Sequence, residues 1–282
     1  MEIFETKKTL QDYLERQREM GKKIGFAPTM GALHKGHLSL YEAARKENDL
    51  TVSSIFVNPT QFNNASDLEK YPRDINRDLY LLDQSGLVDA VYVPQVAELY
   101  PEKLQSKSYD FGGLENAMEG KFRPGHFDGV GTVVEELLGQ VKPDNAYFGE
   151  KDYQQLAIIR KMTDQLNLPV KIHGVKIYRE ENGLAMSSRN ERLSTGQRDA
   201  AKIIHDTLVK VNDWFRIITV PEINQRVKDI FEDEPGMVME YFEIADEETL
   251  QETDFFYKGH DYRAFIVVFV GEVRLIDNMH LN

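Results

Sequence analysis

The stretch APTMGALHKGHLSL, residues 27–40, decides the fold because it joins a short apolar segment to a helical pattern. Residues 23–26 before it predict the end of a strand, and residues 38–44 within and after it predict a helix. The connecting turn contains two glycines and two histidines. A strand-to-helix turn presents unpaired backbone N–H groups and the positive end of a helix dipole, so this turn suits an anion.

The two histidines of this turn, His34 and His37, are three residues apart and share one face if the segment is helical. Gly36 between them lets a ligand approach the backbone closely. Taken alone, the His-x-Gly-His pattern is also typical of two ordinary histidines near a helix start. The two histidines could also be two ligands of a metal ion, but this interpretation is weaker because the chain has no cysteine and no obvious third ligand nearby.

The composition bounds the class of protein. A chain of 282 residues is long enough for one large domain or two ordinary ones, and its 41% apolar and 29% charged content predicts a soluble globular protein. We expect no membrane segment, because no apolar run approaches the roughly 18–20 residues of a bilayer span. The N-terminus lacks the basic-then-apolar pattern of a signal peptide, and the absence of cysteine favours a cytoplasmic location.

The charge balance is acidic. Lys and Arg number 34 against 47 Asp and Glu, which gives a formal net charge of −13 and argues against general nucleic-acid binding. A solvated acidic surface explains the surplus, and a pocket can still be locally basic. An anionic small ligand is therefore compatible with this composition.

Strand and helix patterns alternate through the first part of the chain. Strands are predicted at residues 51–57, 90–93, 145–149 and 169–175, and helices at 7–20, 74–85, 130–141 and 153–166. This alternation predicts a parallel sheet with helices on both faces, whose ligands bind outside the carboxyl ends of the strands. Three polar loops follow predicted strands, at Pro28–His37, Asn58–Phe62 and Gly149–Gln155, and we expect them to serve one site.

The pattern changes after about residue 176. Helices are predicted at residues 195–215 and 221–232, followed by strands at 237–245, 262–270 and 273–277. This order predicts a second, smaller domain of helices and antiparallel strands.

Several blocks together carry a resemblance to a known family. They are PTMGALHKGH at 28–37, SIFVNPTQF at 54–62, YPRD at 71–74, RPGHF at 123–127, FGEKDYQQL at 148–156, MSSRN at 186–190 and YFEIAD at 241–246. With these blocks in this order over nearly its whole length, the chain resembles the pantothenate synthetases, which are ATP-dependent ligases that join pantoate to β-alanine.

The resemblance implies a Rossmann-like, doubly wound parallel sheet of the HxGH nucleotidyltransferase superfamily at residues 1–176, binding nucleotide and pantoate. It implies a smaller α+β lid domain at residues 177–282, and usually a homodimer in the cytoplasm. The implied reaction converts ATP, (R)-pantoate and β-alanine to pantothenate, AMP and pyrophosphate through a pantoyl adenylate, with Mg²⁺. Nucleic acid and membrane are not among the implied partners.

The same resemblance implies roles for individual residues. His37 is the proton donor, and His34, Lys151 and Arg189 help it to neutralise phosphate charge. The implied ATP-binding residues are Met30, Gly31, Ala32, Leu33, His34, Lys35, Gly36, His37, Gly149, Glu150, Lys151, Asp152, Tyr178, Met186, Ser187, Ser188 and Arg189. Gln61, Gln155 and Asn58 are implied for pantoate, and Gln61 also for β-alanine. Asp78 is the candidate Mg²⁺ ligand, although Arg77 stands where a second carboxylate is expected.

Each assignment has a plainer alternative. Lys151 and Asp152 also fit an exposed charge cluster, the Ser187–Arg189 segment is ordinary loop composition, and Met30 fits a core position equally well. Gln61 and Gln155 also fit surface glutamines. For the whole chain, the turn alone permits a nucleotidyltransferase that acts on a phosphate ester, or a catalytically silent nucleotide-binding module.

Overall fold

The structure is a computed structural model that describes residues 1–62, 68–69 and 71–282. It divides into two compact units. The first comprises Met1–Glu115, Glu119–Glu150 and Gln155–Lys176, and the second comprises Asn116–Met118, Lys151–Gln154 and Ile177–Asn282. The predicted first domain, 1–176, therefore differs from the observed unit in two short segments, one of which contains Lys151 and Asp152.

The secondary structure follows the predicted alternation. The strands are β1 (Glu2–Phe4), β2 (Ile24–Thr29), β3 (Leu50–Ile55), β4 (Ala90–Tyr92), β5 (Asn145–Gly149), β6 (Lys171–Val175), β7 (Met237–Asp246), β8 (Tyr262–Val270) and β9 (Val273–Leu281). The helices described in full are α1 (Lys7–Glu19), α2 (Lys35–Glu47), α3 (Ile75–Ser85), α4 (Val96–Leu99), α5 (Met118–Phe122), α6 (His126–Val141), α7 (Tyr153–Gln165), α8 (Thr195–Ala200), α9 (Lys202–Trp214) and α10 (Val220–Glu232).

The first unit contains a six-stranded sheet in the order β1-β4-β3-β2-β5-β6, and every described pairing is parallel. The strands from β2 to β4 progress towards one edge, and β5 and β6 progress towards the other. The predicted doubly wound α/β fold is confirmed, and the order of strands reverses between β2 and β5.

The core of the first unit includes the elements on either side of the β2–α2 connection. Ala27 of β2, Leu33 of the connection, Tyr41 of α2 and Leu82 of α3 belong to one buried apolar cluster. Burial of such side chains is the main stabilising term in folding. It packs α2 and α3 against strands of the sheet.

The second unit contains the predicted smaller α+β arrangement. Strands β7, β8 and β9 form an antiparallel sheet, and a tight turn at Gly271, with φ +59°, joins β8 to β9. Helices α9 and α10 contribute Leu208, Ile223 and Val227 to a buried cluster with strand residues such as Ile266. Among the helices that the structure describes, none is both long and apolar enough to cross a bilayer.

Several boundaries differ from the predictions. The predicted helix at 195–215 is two helices that meet at Ala201, and β9 continues four residues past 277. Strand β1 and the short helices α4 and α5 were not predicted, because three to five residues carry too little periodicity. Strand β1 forms through its parallel pairing with β4.

Candidate active site

The segment of residues 29–37, named here the histidine turn, lies at the switch point of the sheet. It follows β2, which pairs with β3 on one side and with β5 on the other. Crevices at the carboxyl ends of strands that diverge in this way are where ligands of doubly wound sheets bind. The histidine turn therefore occupies the expected ligand position of the first unit.

The backbone of the histidine turn is tightly folded. Gly31 has φ +83° and Ala32 has φ +50°, so two successive residues are left-handed. Leu33 then enters the core with 1% exposure, and His34 is the extended N-cap residue of α2, with φ −147° and ψ 175°. Helix α2 begins at Lys35, earlier than the predicted 38, because this cap already directs the polar Lys-Gly-His sequence into a helical turn.

The two histidines of the turn contact each other. The backbone N–H of His34 donates to Nδ1 of His37 at 3.2 Å, and the two ring centroids are 4.0 Å apart. A nitrogen that accepts a hydrogen bond carries no proton, so the neutral His37 imidazole carries its proton on Nε2. The contact therefore makes Nε2–H the donor group of the neutral His37 ring.

The start of α2 is suited to a negative ligand. Its first turn, residues 35–38, contains no acidic residue, whereas basic residues Arg45 and Lys46 occupy its last turn. The first N–H groups of a helix lack intrahelical acceptors, and the helix dipole adds a partial positive charge there. Half-buried Gly36 and exposed Lys35 belong to this same turn.

Both carboxylate oxygens of Asp78 in α3 accept hydrogen bonds from the backbone of the histidine turn. Oδ2 accepts the N–H of Ala32 at 2.9 Å, and Oδ1 accepts the N–H of Leu33 at 2.7 Å. The side chain belongs to a residue only 2% exposed. Among the residues that the structure describes, no group of three His, Cys, Asp or Glu side chains is placed to hold a metal. This arrangement does not fit the predicted role of Asp78 as a Mg²⁺ ligand.

Asn58 and Gln61, both predicted for pantoate, lie in the connection after β3. Asn58 is fully buried, its Nδ2 donates to Gln61 Oε1 at 3.2 Å, and its Oδ1 accepts the hydroxyl of Tyr100 at 2.7 Å. Gln61 Nε2 in turn lies 2.8 Å from the sulfur of half-buried Met30. The side chain of Gln61 is therefore held between Asn58 and Met30.

Two further residues hold the backbone of Gln61. Nδ1 of His126 lies 2.8 Å from the Gln61 carbonyl oxygen, and Nη2 of Arg123 donates to the same oxygen at 3.2 Å. The sequence offered RPGHF only as one block of the resemblance, and no spacing rule connects residue 126 to residue 61. The contact depends on the packing of α6 against this connection.

The segment after β5 is divided between the two units, and its second part is held within the second unit. The carbonyl of Lys151 accepts Nδ2 of Asn278 at 2.8 Å, and Nζ of Lys151 lies 3.9 Å from Oδ2 of Asp152. Arg263 donates to Oδ1 of Asn278 at 2.6 Å and lies 4.0 Å from the ring centroid of Tyr153. Asn278 on β9 thus fixes the backbone of a predicted ATP-binding residue.

The two adjacent glutamines of α7 have different surroundings. Neighbouring residues on a helix point in different directions, and the sequence favours Gln155 over Gln154 for pantoate. Gln154 is 4% exposed, and its Nε2 donates to the carbonyl of Ala117 at 2.8 Å within the second unit. Gln155 is half-buried and belongs to the first unit, as do half-buried Gly149 and Glu150. The hydrogen bond of Gln154 supports the preference for Gln155 as the ligand-binding glutamine.

Residues 186–192 of the second unit, named here the serine–arginine loop, include a short 3₁₀ helix at Ser188–Arg192. Ser187 caps this helix, since its Oγ accepts the N–H of Arg189 at 3.2 Å, and Ser188 is buried. The N–H of Met186 donates to the carbonyl of Tyr178 at 2.9 Å, so Tyr178 supports the start of the loop. Arg189 is half-buried beside them.

Curated relatives match the chain over its full length. A pantothenate synthetase from Christiangramia forsetii is 49% identical over 282 residues, with 100% of both chains covered. One from Flavobacterium psychrophilum is 50% identical over 281 residues, again with 100% of both covered.

Solved structures match it as well. Pantothenate synthetase from Thermus thermophilus superposes with a TM-score of 0.90 at 41% identity, covering 99% of each chain. Pantoate-beta-alanine ligase from Francisella tularensis, complexed with beta-gamma ATP and beta-alanine, gives a TM-score of 0.82 at 34% identity, covering 99% of this chain and 97% of that one.

The parallel sheet with its switch-point turn, joined to a small antiparallel sheet, defines an enzyme of the Rossmann-like α/β class. The family model described as pantoate-beta-alanine ligase matches residues 2–280, and the chain belongs to that family. Its activity is that of a ligase of pantothenate biosynthesis. This finding favours the ligase over the phosphate-ester nucleotidyltransferase and over the silent binding module.

Proposed function

We propose that the chain condenses (R)-pantoate with β-alanine in two half-reactions driven by ATP. In the first, a pantoate carboxylate oxygen attacks the α-phosphorus, and the bond from that phosphorus to the bridging oxygen breaks. Pyrophosphate leaves and pantoyl adenylate forms. In the second, the β-alanine amine attacks the activated carbonyl carbon, AMP leaves, and the nitrogen loses a proton as the amide forms.

The observation that carries this proposal is the pair of imidazoles at the start of α2, with centroids 4.0 Å apart and no acidic residue in that helical turn. Both reactants of the first step are anions, and negative charge spreads over the phosphate oxygens in the transition state. Preorganised donors aimed at that charge are the largest usual source of acceleration. The histidine turn supplies such donors from side chains and backbone together.

His37 is assigned the donor role because its Nδ1 already accepts the N–H of His34. In the neutral imidazole, Nε2–H is then the ring's donor, and we assign it to a phosphate oxygen of bound ATP. His34 is assigned to the same phosphates, and Met30, Gly31, Ala32, Leu33, Lys35 and Gly36 to ATP through the shape of the turn. The donor strengthens as charge develops, so it acts on turnover rather than on substrate binding.

In the second unit, Lys151 and Arg189 are the cations assigned to the ATP phosphates. An ammonium acts as a point charge, and a guanidinium can form paired hydrogen bonds. Met186, Ser187 and Ser188 are assigned to the same phosphates, Asp152 to the ribose hydroxyls and Tyr178 to adenine through its main chain. Gly149 and Glu150, of the first unit, are assigned to ATP.

The glutamines are assigned to pantoate, which presents two hydroxyls and a carboxylate. An amide both donates and accepts, so Gln61 and Gln155 can bind these groups, and Gln61 is also assigned to β-alanine. Asn58 acts on pantoate through Gln61, because its buried amide donates to Gln61 Oε1. The ATP and β-alanine in the Francisella tularensis ligase support these substrate classes.

The remaining assignments concern the environment of the reaction. Mg²⁺ supplies neutralisation of phosphate charge when bound, and ATP oxygens and water are its proposed ligands, as is common for this ion. We assign the enzyme to the cytoplasm as a homodimer, with neither nucleic acid nor membrane as a partner. The net charge of −13 and the lack of cysteine support the location and the exclusion of nucleic acid.

Product analysis of the purified protein tests the proposal. With ATP alone, no AMP should form. Addition of pantoate should release pyrophosphate, and addition of β-alanine should then produce pantothenate and AMP in equal amounts. Formation of ADP, or pyrophosphate release that does not depend on pantoate, would contradict the adenylate route.

A further inference from the structure

The conformation of the histidine turn needs support from outside the turn. Gly31 at φ +83° can adopt its backbone without a penalty, but Ala32 at φ +50° carries a Cβ. A left-handed residue other than glycine is strained and persists only where the surrounding structure holds it in that conformation. The direction in which His34 and α2 begin depends on these two residues.

The support comes from Asp78, which lies 45 residues after Leu33 in the sequence. Its two carboxylate oxygens accept the N–H groups of Ala32 and Leu33 at 2.9 and 2.7 Å. These are the two residues before the helix cap. Hydrogen bonds to a charged acceptor are roughly twice as strong as neutral ones. Burial raises the pKa of the Asp78 carboxyl, and the bonds from Leu33 and Ala32 oppose that rise by stabilising the ionised form.

The packing around Asp78 leaves little room for a different arrangement. A Cβ placed on Gly31 would lie 2.8 Å from Oδ2 of Asp78, so only glycine lets the carboxylate approach this closely. Leu82, one helical turn further along α3, packs in the same apolar cluster as Leu33. Asp78 and Leu82 lie on the same face of α3, so this face provides both the hydrogen bonds to the turn and a member of the apolar cluster that includes Leu33.

Metal binding explains these contacts poorly. Both oxygens of Asp78 face backbone donors, and the adjacent residue is Arg77 rather than a second carboxylate. The preceding acidic residue, Asp74, caps α3 by accepting the N–H of Arg77. Mg²⁺ requires near-octahedral oxygen ligands, which this arrangement does not provide.

We propose that Asp78 is a positioning residue that holds the histidine turn in the orientation needed for adenylation, and that it is not a metal ligand. This inference rests on the proposed function of the turn in binding phosphate. Loss of the anchor should displace His37 without removing any group that touches substrate. A displacement of about 1 Å can cost on the order of 10²-fold in rate.

Asp78→Asn tests the two hydrogen bonds from Asp78 to the turn. The amide keeps the size of the side chain, but it has one acceptor oxygen for the two N–H donors of Ala32 and Leu33. Asp83→Asn is the matched control, since Asp83 lies on the same helix with an exposed side chain. Hydrogen exchange in the peptide spanning residues 27–38 should accelerate about 10- to 100-fold in Asp78→Asn and stay unchanged in Asp83→Asn. This readout does not depend on activity, so it separates failure of the anchor from failure of the proposed function.

The kinetic part uses pantoate-dependent pyrophosphate release. In Asp78→Asn, kcat should fall about 10²-fold while the KM for pantoate changes little, and the half-saturating Mg²⁺ concentration should remain that of the parent. Calorimetric titration of MgCl₂ alone into nucleotide-free protein should give no saturable binding. Saturable Mg²⁺ binding that Asp78→Asn abolishes, or recovery of its activity at high Mg²⁺, would overturn the inference.

Two further measurements apply even if Asp78→Asn does not fold. Asp78→Glu keeps the charge and both oxygens but moves them by one methylene, so it should show the same loss of kcat; parent-level activity would contradict positioning. In the parent protein, the amides of Ala32 and Leu33 should exchange slowly by NMR. Exchange at the rate of exposed loop amides would overturn the inference without any variant.

Discussion

The histidine turn and the serine–arginine loop are both short polar segments, but they are held in place differently. The histidine turn is fixed from a distance, by a carboxylate 45 residues away in α3. The serine–arginine loop is fixed by its own Asn190, whose Nδ2 donates to Oε1 of Glu180 at 2.7 Å and to the carbonyl of Ala185 at 3.1 Å.

In each region, the residue that holds the backbone in place is different from the residue assigned to the phosphates. Asp78 is 2% exposed and Asn190 is 1% exposed, so both act inside the protein. Their half-buried neighbours His37 and Arg189 are the residues assigned to phosphate. Because an unsatisfied buried polar group is costly, the supporting residues should govern stability and orientation, whereas the neighbours should govern rate.

His37→Ala should give the largest effect on the first region. We expect pantoate-dependent pyrophosphate release to fall on the order of 10²- to 10³-fold, with little change in pantoate affinity, because a transition-state donor is lost. Rapid-quench kinetics and calorimetry measure the two quantities. His260→Ala, at an exposed histidine of the second unit, is the control and should retain full activity. An unchanged turnover number in His37→Ala would remove His37 from the mechanism.

Asn190→Ala should destabilise the second region. The carbonyl of Ala185 loses the donor at 3.1 Å, and a buried acceptor left unsatisfied costs about 1–3 kcal/mol. Oε1 of Glu180 also loses the Asn190 amide but keeps the guanidinium of Arg198 at 2.7 Å. Urea unfolding measures the loss in the free energy of unfolding. Asn212→Ala removes a surface amide contact with Asn282 and should change stability by less than about 0.5 kcal/mol. Equal stabilities for the two variants would refute the supporting role of Asn190.

Arg189→Lys should have a smaller kinetic effect, because the charge remains and only the paired hydrogen bonds are lost. We expect kcat/KM for ATP to fall on the order of 10-fold. Arg192→Lys, in the same loop and exposed, should leave kcat/KM for ATP unchanged. If both variants behave alike, the loop contributes general charge rather than a specific phosphate contact.

The smallest effect should be a pH dependence in the stability of the second unit, through His205. His205 packs against Gly183, and burial, followed by the nearby Arg179, lowers the pKa of His205, while Asp277 opposes this. A lowered folded-state pKa means that His205 contributes stability above its ordinary pKa of about 6.5, and that this contribution is lost as pH falls through the folded pKa.

Urea midpoints measured from about pH 7.5 down to about pH 5 test this dependence. The midpoint of the parent should fall with pH more steeply than that of His205→Gln. His173 of the first unit, whose pKa burial also lowers, is unchanged in both proteins, so a common residual slope is expected. Identical slopes for the two proteins would show that His205 does not contribute.

Local signals were sufficient for most of the fold. A strand pattern, a glycine-containing turn and a helical pattern are contiguous between residues 24 and 47, so the β2–α2 unit could be predicted from sequence. The serine–arginine loop, by contrast, was predicted from one short block of the family resemblance. Strand β1 could not be predicted, since its three residues are ordered by pairing with β4 some ninety positions later.

The supporting contacts of the site could not be predicted, because they join distant residues. The spacing of residues 32, 33 and 78 has no sequence periodicity, and the acidic residue in α3 suggested a metal instead. Likewise, the sequence predicts that Asn58 and Gln61 both bind pantoate, but it does not show that Asn58 is buried and donates to Gln61. The residues assigned to substrates were predicted because the family blocks contain them, whereas the residues that contact them could be identified only from the packing.

A crystal structure with a non-hydrolysable ATP analogue and pantoate tests the central claim most directly. The account predicts phosphate oxygens within about 3.2 Å of Nε2 of His37 and of the first amides of α2, with Nδ1 of His37 still accepting the N–H of His34. Phosphates bound elsewhere on the chain, or His37 turned so that Nε2 faces the apolar interior, would contradict it.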